Sequence, residues 1–430
     1  MHIYFSGIGG TGIGPLALIA HQAGFLVSGS DKQTSTYTNY LNSKGINLHI
    51  GQDDDKNISQ VHHNKPIDWF VYSSALPLEN KNHPELKFIN KNGIKHSKRD
   101  EFLAYFLKET GLQMLAAAGT HGKTTTTAML IWVMNQLSVP ISYSLGAKTS
   151  FCEMGHYEPT SKLFIYECDE FDKNFLSFYP EIAVISSLSW DHHEIYNTEA
   201  EYFKAFEQFI SQANKTIIFE EDFHKLAIKI NENHTVISTQ DKLLSEIKLA
   251  GLHNRKNARL VIELVAQATS KDKRQIIEIV NNFPGVSRRF EKLANNIYTD
   301  YAHTPEEIEA TLQLASELGQ PIVSVYEPLT NRRQHFMKEQ YKNSFKMANK
   351  IYWLPSYLAR EDPSQTMLTP NDLIGYLNNR SVAQVAEKNN QLWQEITQLA
   401  DDGYVVILLA GGGGGSLDEW ARNMVELKSN

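Results

Sequence analysis

An apolar run, a glycine-containing loop and a helix-compatible stretch from Ala128 follow one another directly between Leu112 and Leu137. The loop reads Gly119-Thr120-His121-Gly122-Lys123-Thr124-Thr125. In such a unit the loop N–H groups and the helix N-terminus face an anion, Lys123 adds a positive charge, and the Thr124 hydroxyl can bind Mg²⁺. The unit departs from the general GxxxxGK[ST] pattern because Ala117 occupies the place of the first glycine, so an ordinary strand-to-helix turn is the alternative interpretation. We predict that residues 119–125 cradle the phosphates of a nucleoside triphosphate.

The bulk composition limits the classes of protein to which the chain can belong. Its 430 residues exceed what one hydrophobic core usually serves, which predicts about three domains. A net charge of -8 gives no electrostatic reason to expect a nucleic-acid partner. Cys152 and Cys168 suit neither a disulfide framework nor a zinc site, and no apolar run reaches the roughly 18 residues of a membrane span. We therefore expect a cytoplasmic protein without membrane insertion.

The first glycine loop of the chain, residues 7–12, lies near its start, after a strand-like run that ends at Ser6. An apolar helical stretch follows this loop, and the next strand ends at Asp31, about where a Rossmann unit places its ribose-binding acid. The pattern predicts a Rossmann-like nucleotide-binding half. The alternative is a glycine turn that serves only packing.

Two further pairs of polar residues lie where a ligand of this half could be bound. Ser73 and Ser74 follow a buried-type strand predicted over 69–72, at the sheet edge where open α/β sheets bind ligands. Lys98 and Arg99 precede a helix, where they either reach a diphosphate or remain solvated charges.

The segment from Glu167 to Asp172 carries four carboxylates in six residues. Such charges repel one another unless a cation lies among them, and a strand end beside a phosphate loop is a usual place for Mg²⁺. A solvated acidic turn is the alternative. The next buried strand, predicted over 182–188, leads to Asp191-His192-His193, and a histidine there can bind a metal or orient a phosphate, although packed or surface histidines are common.

The last third of the chain again alternates strands and helices, which predicts a small doubly wound domain. Before it, helical apolar spacing predicts helices over 199–212 and 257–268, and the amide of Asn257 suits either an adenine edge or a helix cap. Ser287-Arg288-Arg289-Phe290 precedes a strand that ends at Asp300, and the five glycines 411–415 predict either a phosphate site or a flexible turn.

The motifs occur in the order GIGGTGIG, AGTHGKTTTT, ECDEFD, DHH, GLHNRKN, SRRF and DYAHTPEE. Their order and spacing resemble those of the Mur ligases of peptidoglycan synthesis, and especially the group that adds L-alanine to UDP-N-acetylmuramate. The resemblance implies an α/β protein of three domains. These are a Rossmann-like domain for the UDP-sugar (1–108), a P-loop-type central ATPase (109–284), and a small doubly wound C-terminal domain that closes over the site with the amino acid (285–430).

The resemblance also implies the reaction. ATP phosphorylates the substrate carboxylate, the amine of an L-amino acid attacks the acyl phosphate, and an amide, ADP and phosphate are formed. ATP and Mg²⁺ are the implied cofactors, UDP-N-acetylmuramate and L-alanine the implied substrates, and a monomer or homodimer the expected assembly.

Roles for individual residues follow from the same resemblance. The expected catalytic residues are Lys123, Glu170, His192, Arg289 and His303, and the expected metal ligands are Thr124, Glu170 and His192. The nucleotide is expected to contact residues 119–125, Asn257, Arg289 and Asp300. The expected substrate residues are Gly9, Gly10, Thr11, Gly12, Asp31, Ser73, Ser74, Arg99, Tyr301 and Arg333, of which Arg333 is the candidate partner of the amino-acid carboxylate.

One segment departs from the family pattern. Residues 326–333 read YEPLTNRR, where the alanine-adding group usually reads close to FQPHRFTR. Arg333 aligns with the second arginine, but Leu329 and Thr330 replace the His-Arg pair. Glu327 and Asn331 resemble the ligase that recycles the murein tripeptide L-alanyl-γ-D-glutamyl-meso-diaminopimelate, so that reaction is the alternative. The loop GIGGTGIG favours L-alanine, because the recycling group has a loop closer to GICGTFMG.

Two alternatives come from other classes of protein. The first glycine loop could belong to an NAD-dependent oxidoreductase, although no candidate proton relay accompanies it. The chain could also be a non-catalytic binding subunit, against which the retained lysine, acids and histidines argue.

Overall fold

The computed structural model describes residues 1–193, 195–359 and 361–429. Three sheets with flanking helices follow one another along the chain, which confirms the predicted α/β class with three sheet-containing regions. The chain forms two compact units, the first made of residues 1–247 and 257–284 and the second of residues 248–256 and 285 onward. The boundaries at 108/109 and 284/285 stay predictions, and residue 430, at the end of the third predicted domain, lies outside the described residues. Within the described part of the chain no helix is both long and apolar enough to cross a membrane.

The first sheet has five parallel strands in the order β3-β2-β1-β4-β5. The chain runs outward from β1 to one side and then returns to its other side, so the carboxyl end of β1 is a topological switch point, where ligands of such sheets bind. The strands are β1 (His2–Ser6), β2 (Leu26–Asp31), β3 (Asn47–Ile50), β4 (Trp69–Tyr72) and β5 (Lys95–Lys98). The helices are α1 (Gly14–Gln22), α2 (Thr36–Ser43), α3 (Lys56–Asn64), α4 (Ala75–Glu79), α5 (Pro84–Lys91) and α6 (Arg99–Thr110).

The second sheet has seven strands in the order β12-β11-β10-β6-β9-β7-β8, all parallel except the pair β7 and β8. Its strands are β6 (Gln113–Ala118), β7 (Ile141–Ser144), β8 (Gly155–His156), β9 (Leu163–Glu167), β10 (Ile182–Ile185), β11 (Lys215–Phe219) and β12 (His234–Ile237). Its helices are α7 (Lys123–Gln136), α8 (Glu199–Gln212), α9 (Glu220–Phe223), α10 (Leu252–Thr269) and α11 (Lys273–Val280), with 3₁₀ helices at Phe171–Ser177 and Lys242–Ser245. Because β10, β6 and β9 are neighbours, the segments that follow them meet at one edge of the sheet.

Helix α7 begins at Lys123, earlier than the stretch from Ala128 that the sequence indicated. The threonine run has weak helix propensity because its side chains are β-branched. Tertiary burial outweighs that preference, since Thr126 and Thr127 are fully buried, and the Thr127 hydroxyl donates to the Lys123 carbonyl at 2.9 Å. The helix therefore starts directly after Gly122, at the end of the glycine-containing loop.

Helix α10 also begins earlier than the sequence indicated, at Leu252 rather than Asn257. Side chains of a helix distant in sequence satisfy its first N–H groups, which have no acceptor within the helix itself. Gly251 N–H donates to Glu317 at 2.9 Å and Leu252 N–H donates to Gln313 at 3.1 Å. Such a cap cannot be read from the local sequence.

The third sheet has six strands in the order β13-β14-β18-β15-β16-β17, all parallel except the pair β13 and β14. Its strands are β13 (Glu291–Ala294), β14 (Ile297–Asp300), β15 (Ile322–Glu327), β16 (Lys350–Trp353), β17 (Ala383–Val385) and β18 (Val405–Ala410). Its helices are α12 (Pro305–Ser316), α13 (Asn331–Met337), α14 (Pro370–Ile374), α15 (Asn390–Asp401) and α16 (Leu417–Ser429), with 3₁₀ helices at Lys338–Asn343 and Arg380–Val382.

Candidate active site

The loop between β6 and α7 requires glycine at two positions. Gly119 and Gly122 have φ values of 132° and 84°, which L side chains rarely adopt. A methyl group on Gly119 would lie 2.6 Å from Ser186 Oγ, and one on Gly122 would lie 2.7 Å from Asn257 Oδ1. The N–H groups of the first turn of α7 point out of its N-terminus without an acceptor in the helix. The expected nucleotide residues Thr124, Thr125 and Asn257 thus lie around one helix N-terminus.

Thr120 and His121 are held by the segment that follows β10. Their N–H groups donate to Ser187, at 2.9 Å to its carbonyl and 2.9 Å to its hydroxyl respectively. The Thr120 hydroxyl bonds the Ser189 carbonyl and the Tyr202 hydroxyl, at 2.7 and 2.8 Å. These bonds fix the loop, and they explain why β10 ends at Ile185 rather than continuing to Leu188. Tyr202, on α8, carries no sequence signal for this contact.

Lys123 is the central cation of the site. Its Nζ donates to the carbonyls of Gly119 and Thr120 and lies 2.9 and 3.1 Å from the two carboxylate oxygens of Glu170. Burial opposes the charge on Lys123, but the attraction of Glu170, Asp169 and Glu167 outweighs it and raises the pKa of Lys123. Burial likewise raises the pKa of Glu170, but Lys123 and His192 reverse this effect and the pKa lies below its ordinary value. Both groups are therefore charged.

Each carboxylate of the acidic turn 167–172 has its own partner. The Thr124 hydroxyl donates to Glu167 at 2.8 Å, and an Arg99 Nη donates to Asp169 at 2.8 Å. Glu170 is paired with Lys123, and Asp172 forms an ion pair with Lys98. Side chains far away in sequence thus relieve much of the repulsion that suggested a cation.

Three possible metal-ligand atoms nevertheless converge, two from this turn and one from the segment after β10. One atom each of Asp169, Glu170 and His192 lies within 4.8 Å of the others. His192 adopts φ 55°, with its Nε2 3.5 Å from Glu170 Oε1 and its ring edge-on to Phe171. Two of the three predicted metal ligands, Glu170 and His192, therefore lie together. Asp169 joins them, whereas the Thr124 hydroxyl bonds Glu167.

Tyr196 supports the same turn, and no sequence pattern pointed to it. Its buried hydroxyl donates to the Glu170 carbonyl at 2.7 Å, while Trp190 Nε1 donates to the Tyr196 carbonyl at 3.1 Å. The segment after β10 is thereby joined to the acidic turn.

The first glycine loop lies at the switch point of the first sheet. Gly9 N–H donates to Asp31 Oδ2 at 2.7 Å, so the expected ribose acid also holds the loop. Gly10 and Thr11 are exposed on the loop, and Gly10 N–H bonds the Gly7 carbonyl at 3.0 Å. A methyl group on Gly12 would lie 1.7 Å from Arg99 Nη1, so the guanidinium occupies the space that a side chain at Gly12 would need.

Ser73 and Ser74 follow β4 in the same unit. Ser74 is buried and its hydroxyl donates to Asn174 Oδ1 at 3.3 Å, while Ser73 is partly exposed. The structure thus places the expected substrate residues of the first half, from Gly9 to Arg99, along the carboxyl ends of β1, β2, β4 and β5.

The expected residues Arg289, Asp300 and Tyr301 lie in the second compact unit. The guanidinium carbons of Arg288 and Arg289 lie 4.7 and 4.6 Å from the centre of the Tyr301 ring. Burial raises the pKa of Asp300, against the lowering effect of Arg289. The Asp300 carboxylate accepts the N–H groups of Ala302 and Phe290 at 2.8 and 2.7 Å, so it organises the turn after β14.

His303 and Arg333 contact each other directly. Arg333 Nη1 lies 2.8 Å from His303 Nε2, and His303 Nδ1 lies 3.0 Å from the Tyr301 carbonyl and 3.1 Å from Glu307 Oε2. Arginine has donors only, so Nε2 accepts and Nδ1 carries the proton. His303 therefore orients Arg333.

Glu327, which departs from the family pattern, is buried and has two partners. Lys388 Nζ donates to its Oε1 at 2.6 Å, and the Leu417 N–H at the start of α16 donates to its Oε2 at 2.8 Å. Lys388 also donates to the Gly415 carbonyl at 2.7 Å. The N-terminus of α16, which follows the five glycines 411–415, thus donates to the Glu327 carboxylate of the chain itself.

Asn331, the other residue that resembles the tripeptide-recycling ligase, is also buried. Its Nδ2 donates to the Thr366 carbonyl at 3.2 Å and its Oδ1 accepts the Leu368 N–H at 2.8 Å, which fixes that loop to α13. Thr330 begins the helix with φ 50° and ψ 137°, an unfavourable conformation for a β-branched residue.

Comparisons with known proteins find the same family along most of the chain. Three family models match in succession, described as the Mur ligase family catalytic domain (residues 2–110), the Mur ligase middle domain (117–242) and the Mur ligase glutamate ligase domain (288–413). The UDP-N-acetylmuramate–L-alanine ligase of Fusobacterium nucleatum is 31% identical, with 92% of this chain and 90% of that protein covered. The ligase of the same name from Caldicellulosiruptor saccharolyticus is 30% identical, with 83% and 84% covered.

Solved structures share the fold. The UDP-N-acetylmuramate–alanine ligase of Thermotoga maritima superposes with a TM-score of 0.76 at 24% identity, covering 100% of this chain and 99% of that one. A murein peptide ligase of Psychrobacter arcticus superposes with a TM-score of 0.64 at 20% identity, covering 99% and 98%. With three successive family matches and relatives that are 30–31% identical over most of its length, the chain belongs to the Mur ligase family.

Proposed function

We propose that this chain is an ATP-dependent, ADP-forming ligase that joins L-alanine to UDP-N-acetylmuramate. Relatives that bear this activity in their names are similar over about nine-tenths of the chain. The observation that carries the proposal is the arrangement of Lys123, Glu170 and His192 at the N-terminus of α7. Family membership removes the oxidoreductase alternative, and turnover would remove the binding-subunit alternative.

Activation of the carboxylate is the step that needs this arrangement. A carboxylate becomes an electrophile only when one of its oxygens is converted into a phosphate leaving group. Transfer of the γ-phosphoryl group requires positive charge and aligned N–H donors around the phosphate oxygens. Lys123 supplies the charge and the first turn of α7 the donors, while Glu170 and the loop carbonyls hold the lysine in place.

The acidic turn fits a divalent cation. Asp169, Glu170 and His192 offer two carboxylates and an imidazole, and carboxylate oxygens suit a hard ion such as Mg²⁺. When bound, Mg²⁺ would neutralise charge on the phosphate oxygens. Its ligands in this proposal are Glu170 and His192, as predicted, together with Asp169.

The other two substrates are assigned to the remaining loops. The diphosphate of the UDP-sugar is placed at the N-terminus of α1, beside Arg99, with Asp31 near the ribose. The amino-acid carboxylate is assigned to Arg333, whose planar fork can form paired hydrogen bonds and whose orientation is set by His303.

The tripeptide-recycling alternative depended on Glu327 and Asn331. Glu327 is 2% exposed and bound to Lys388 and the α16 N-terminus, and Asn331 is 1% exposed and bound to the loop at Thr366. Neither carboxylate nor amide is available to a peptide substrate. The two residues therefore no longer support the alternative.

The decisive experiment is phosphate release with ATP, Mg²⁺ and UDP-N-acetylmuramate, with each amine added in turn. We expect release with L-alanine, and release well below that level with the tripeptide or other amino acids. A control with Lys123→Ala identifies phosphate made by a contaminant. Preference for the tripeptide over L-alanine would refute the proposal.

A further inference from the structure

We propose that Arg99 is a positioning residue that links binding of the UDP-sugar diphosphate to the cation site at Asp169. Arg99 has this role only if the proposed function holds, because the diphosphate is taken to lie at the first glycine loop. One side chain would then transmit the occupancy of one substrate site to the other.

Arg99 lies between two loops that belong to different sheets of the first compact unit. It follows β5 directly, at the start of α6. Its Nη1 lies against Gly12, where a methyl group would be only 1.7 Å away, and its Nη2 donates to Asp169 Oδ2 at 2.8 Å. The side chain is 17% exposed. The guanidinium thus faces the glycine loop with one nitrogen and the acidic turn with the other.

This geometry makes Arg99 a competitor of a metal ion. Asp169 is one of the three residues whose ligand atoms converge, and its Oδ2 already accepts from a cation. A metal ion that uses Asp169 must share this carboxylate with the guanidinium, and the two positive charges repel each other. A diphosphate beside Gly12 attracts the guanidinium and weakens its hold on Asp169. Binding of the UDP-sugar should therefore strengthen binding of the metal.

The acidic turn and the 3₁₀ helix after it are also fastened to the first sheet's loops at points away from Gly12, so their position does not depend on Arg99 alone. Lys98 pairs with Asp172, and Ser74 donates to Asn174. Asp172 and Lys173 both have left-handed φ values, 53° and 58°, which cost free energy in residues other than glycine. Contacts with the first sheet's loops hold this unfavourable turn in place.

The test is a titration of the full-length protein with Mn²⁺ alone, followed by the electron paramagnetic resonance signal of the free ion, with and without UDP-N-acetylmuramate. In the wild type we expect the sugar nucleotide to lower the Mn²⁺ Kd by about fivefold or more. In Arg99→Met the competitor is gone, so the Kd without sugar nucleotide should fall by about the same factor, and the sugar nucleotide should then change it by less than about twofold. A merely structural role of Arg99 would not strengthen metal binding.

Lys98→Met is the matched control, because Lys98 is adjacent and also pairs with the acidic turn, but at Asp172 and away from Gly12. In Lys98→Met the sugar nucleotide should lower the Mn²⁺ Kd as much as in the wild type. Any chelation of Mn²⁺ by the sugar nucleotide itself contributes equally to both measurements. If Arg99→Met fails to fold, Arg99→Lys replaces it, since one ammonium cannot face Gly12 and Asp169 at once and should lose the response.

The proposal is overturned by an unaltered response in the Arg99 variant, or by a wild type that shows none. Phosphate release by the same wild-type preparation separates this outcome from failure of the proposed function. Release with L-alanine together with an unaltered Arg99 variant refutes only the role of Arg99.

Discussion

Glu327→Gln tests the role of residues 326–333, the segment that departs from the family pattern. The segment either binds the amino-acid acceptor or stabilises the second compact unit. Glutamine has the same shape, so it can keep the bond from the Leu417 N–H. Its amide NH₂, however, turns a donor toward Lys388, where the native carboxylate accepts at 2.6 Å. The substitution therefore removes one charge-assisted hydrogen bond and the negative charge at the N-terminus of α16.

The cost can be worked out from these contacts. Hydrogen bonds to charged groups contribute about 1.5–3 kcal/mol, and a charge at a helix terminus about 0.3–1 kcal/mol. The Lys388 side chain is 29% exposed and can turn partly into water, which favours the lower end of that range. We expect a loss of about 2–3 kcal/mol, equivalent to a fall in Tm of about 5–10 °C for a unit of this size.

Urea unfolding followed by tryptophan fluorescence measures this loss, and amino-acid kinetics measure the acceptor site. Because Glu327 is buried against Lys388, the KM for L-alanine should stay within about twofold of the wild type. The double variant Glu327→Gln/Lys388→Met should recover part of the lost stability, since it no longer leaves an unpaired ammonium. Unchanged stability combined with an altered acceptor KM would refute the assignment.

Four further predictions concern the site and the second unit. Lys123→Ala should lower kcat by about 10³ or more while the protein still folds, because its charge acts on the phosphoryl oxygens in the transition state, although loss of the partner of buried Glu170 lowers the stability; more than about a tenth of the wild-type rate would contradict this. His192→Ala should raise the Mg²⁺ requirement and recover at high Mg²⁺, since a lost ligand lowers occupancy first; a defect independent of Mg²⁺ concentration would assign another role. Arg333→Lys should raise the KM for the amino acid by about tenfold or more, with that for ATP little changed; the reverse pattern would assign Arg333 to another substrate. Hydrogen bonds from Arg255 lower the pKa of Glu317 from 4.5 to about 2, so this stabilisation is complete above pH 4.5 and is lost as pH falls toward 2; the stability gap between wild type and Glu317→Gln should narrow over that range, and a constant gap would contradict the pairing.

Much of the architecture follows from local sequence chemistry. A buried apolar run, a glycine-containing loop and a Lys-Thr pair predicted a strand, a tight turn and a helix in that order, and Gly119 and Gly122 adopt φ values that other residues avoid. Alternation of apolar strands with helical stretches predicted the α/β class, and β4 and α8 were predicted to the residue. These features depend on neighbours a few positions apart.

The helix starts were predicted less well for a physical reason. The early start of α7 depends on burial of Thr126 and Thr127, and that of α10 on capping by Glu317 and Gln313. Both contributions come from parts of the chain that local propensity does not include.

The partners of the charged residues were decided by the tertiary structure alone. The acidic turn predicted a cation, yet Arg99, Lys98 and Lys123 neutralise it from 47 to 74 positions away, and Asp169 rather than Thr124 joins Glu170 and His192. Glu327 looked like an acceptor residue until the fold placed Lys388 beside it, 61 positions later. A sequence pattern shows which charges are present, but the free energy of a buried charge depends on which opposite charge the fold brings within hydrogen-bonding distance, and only the packed chain determines that.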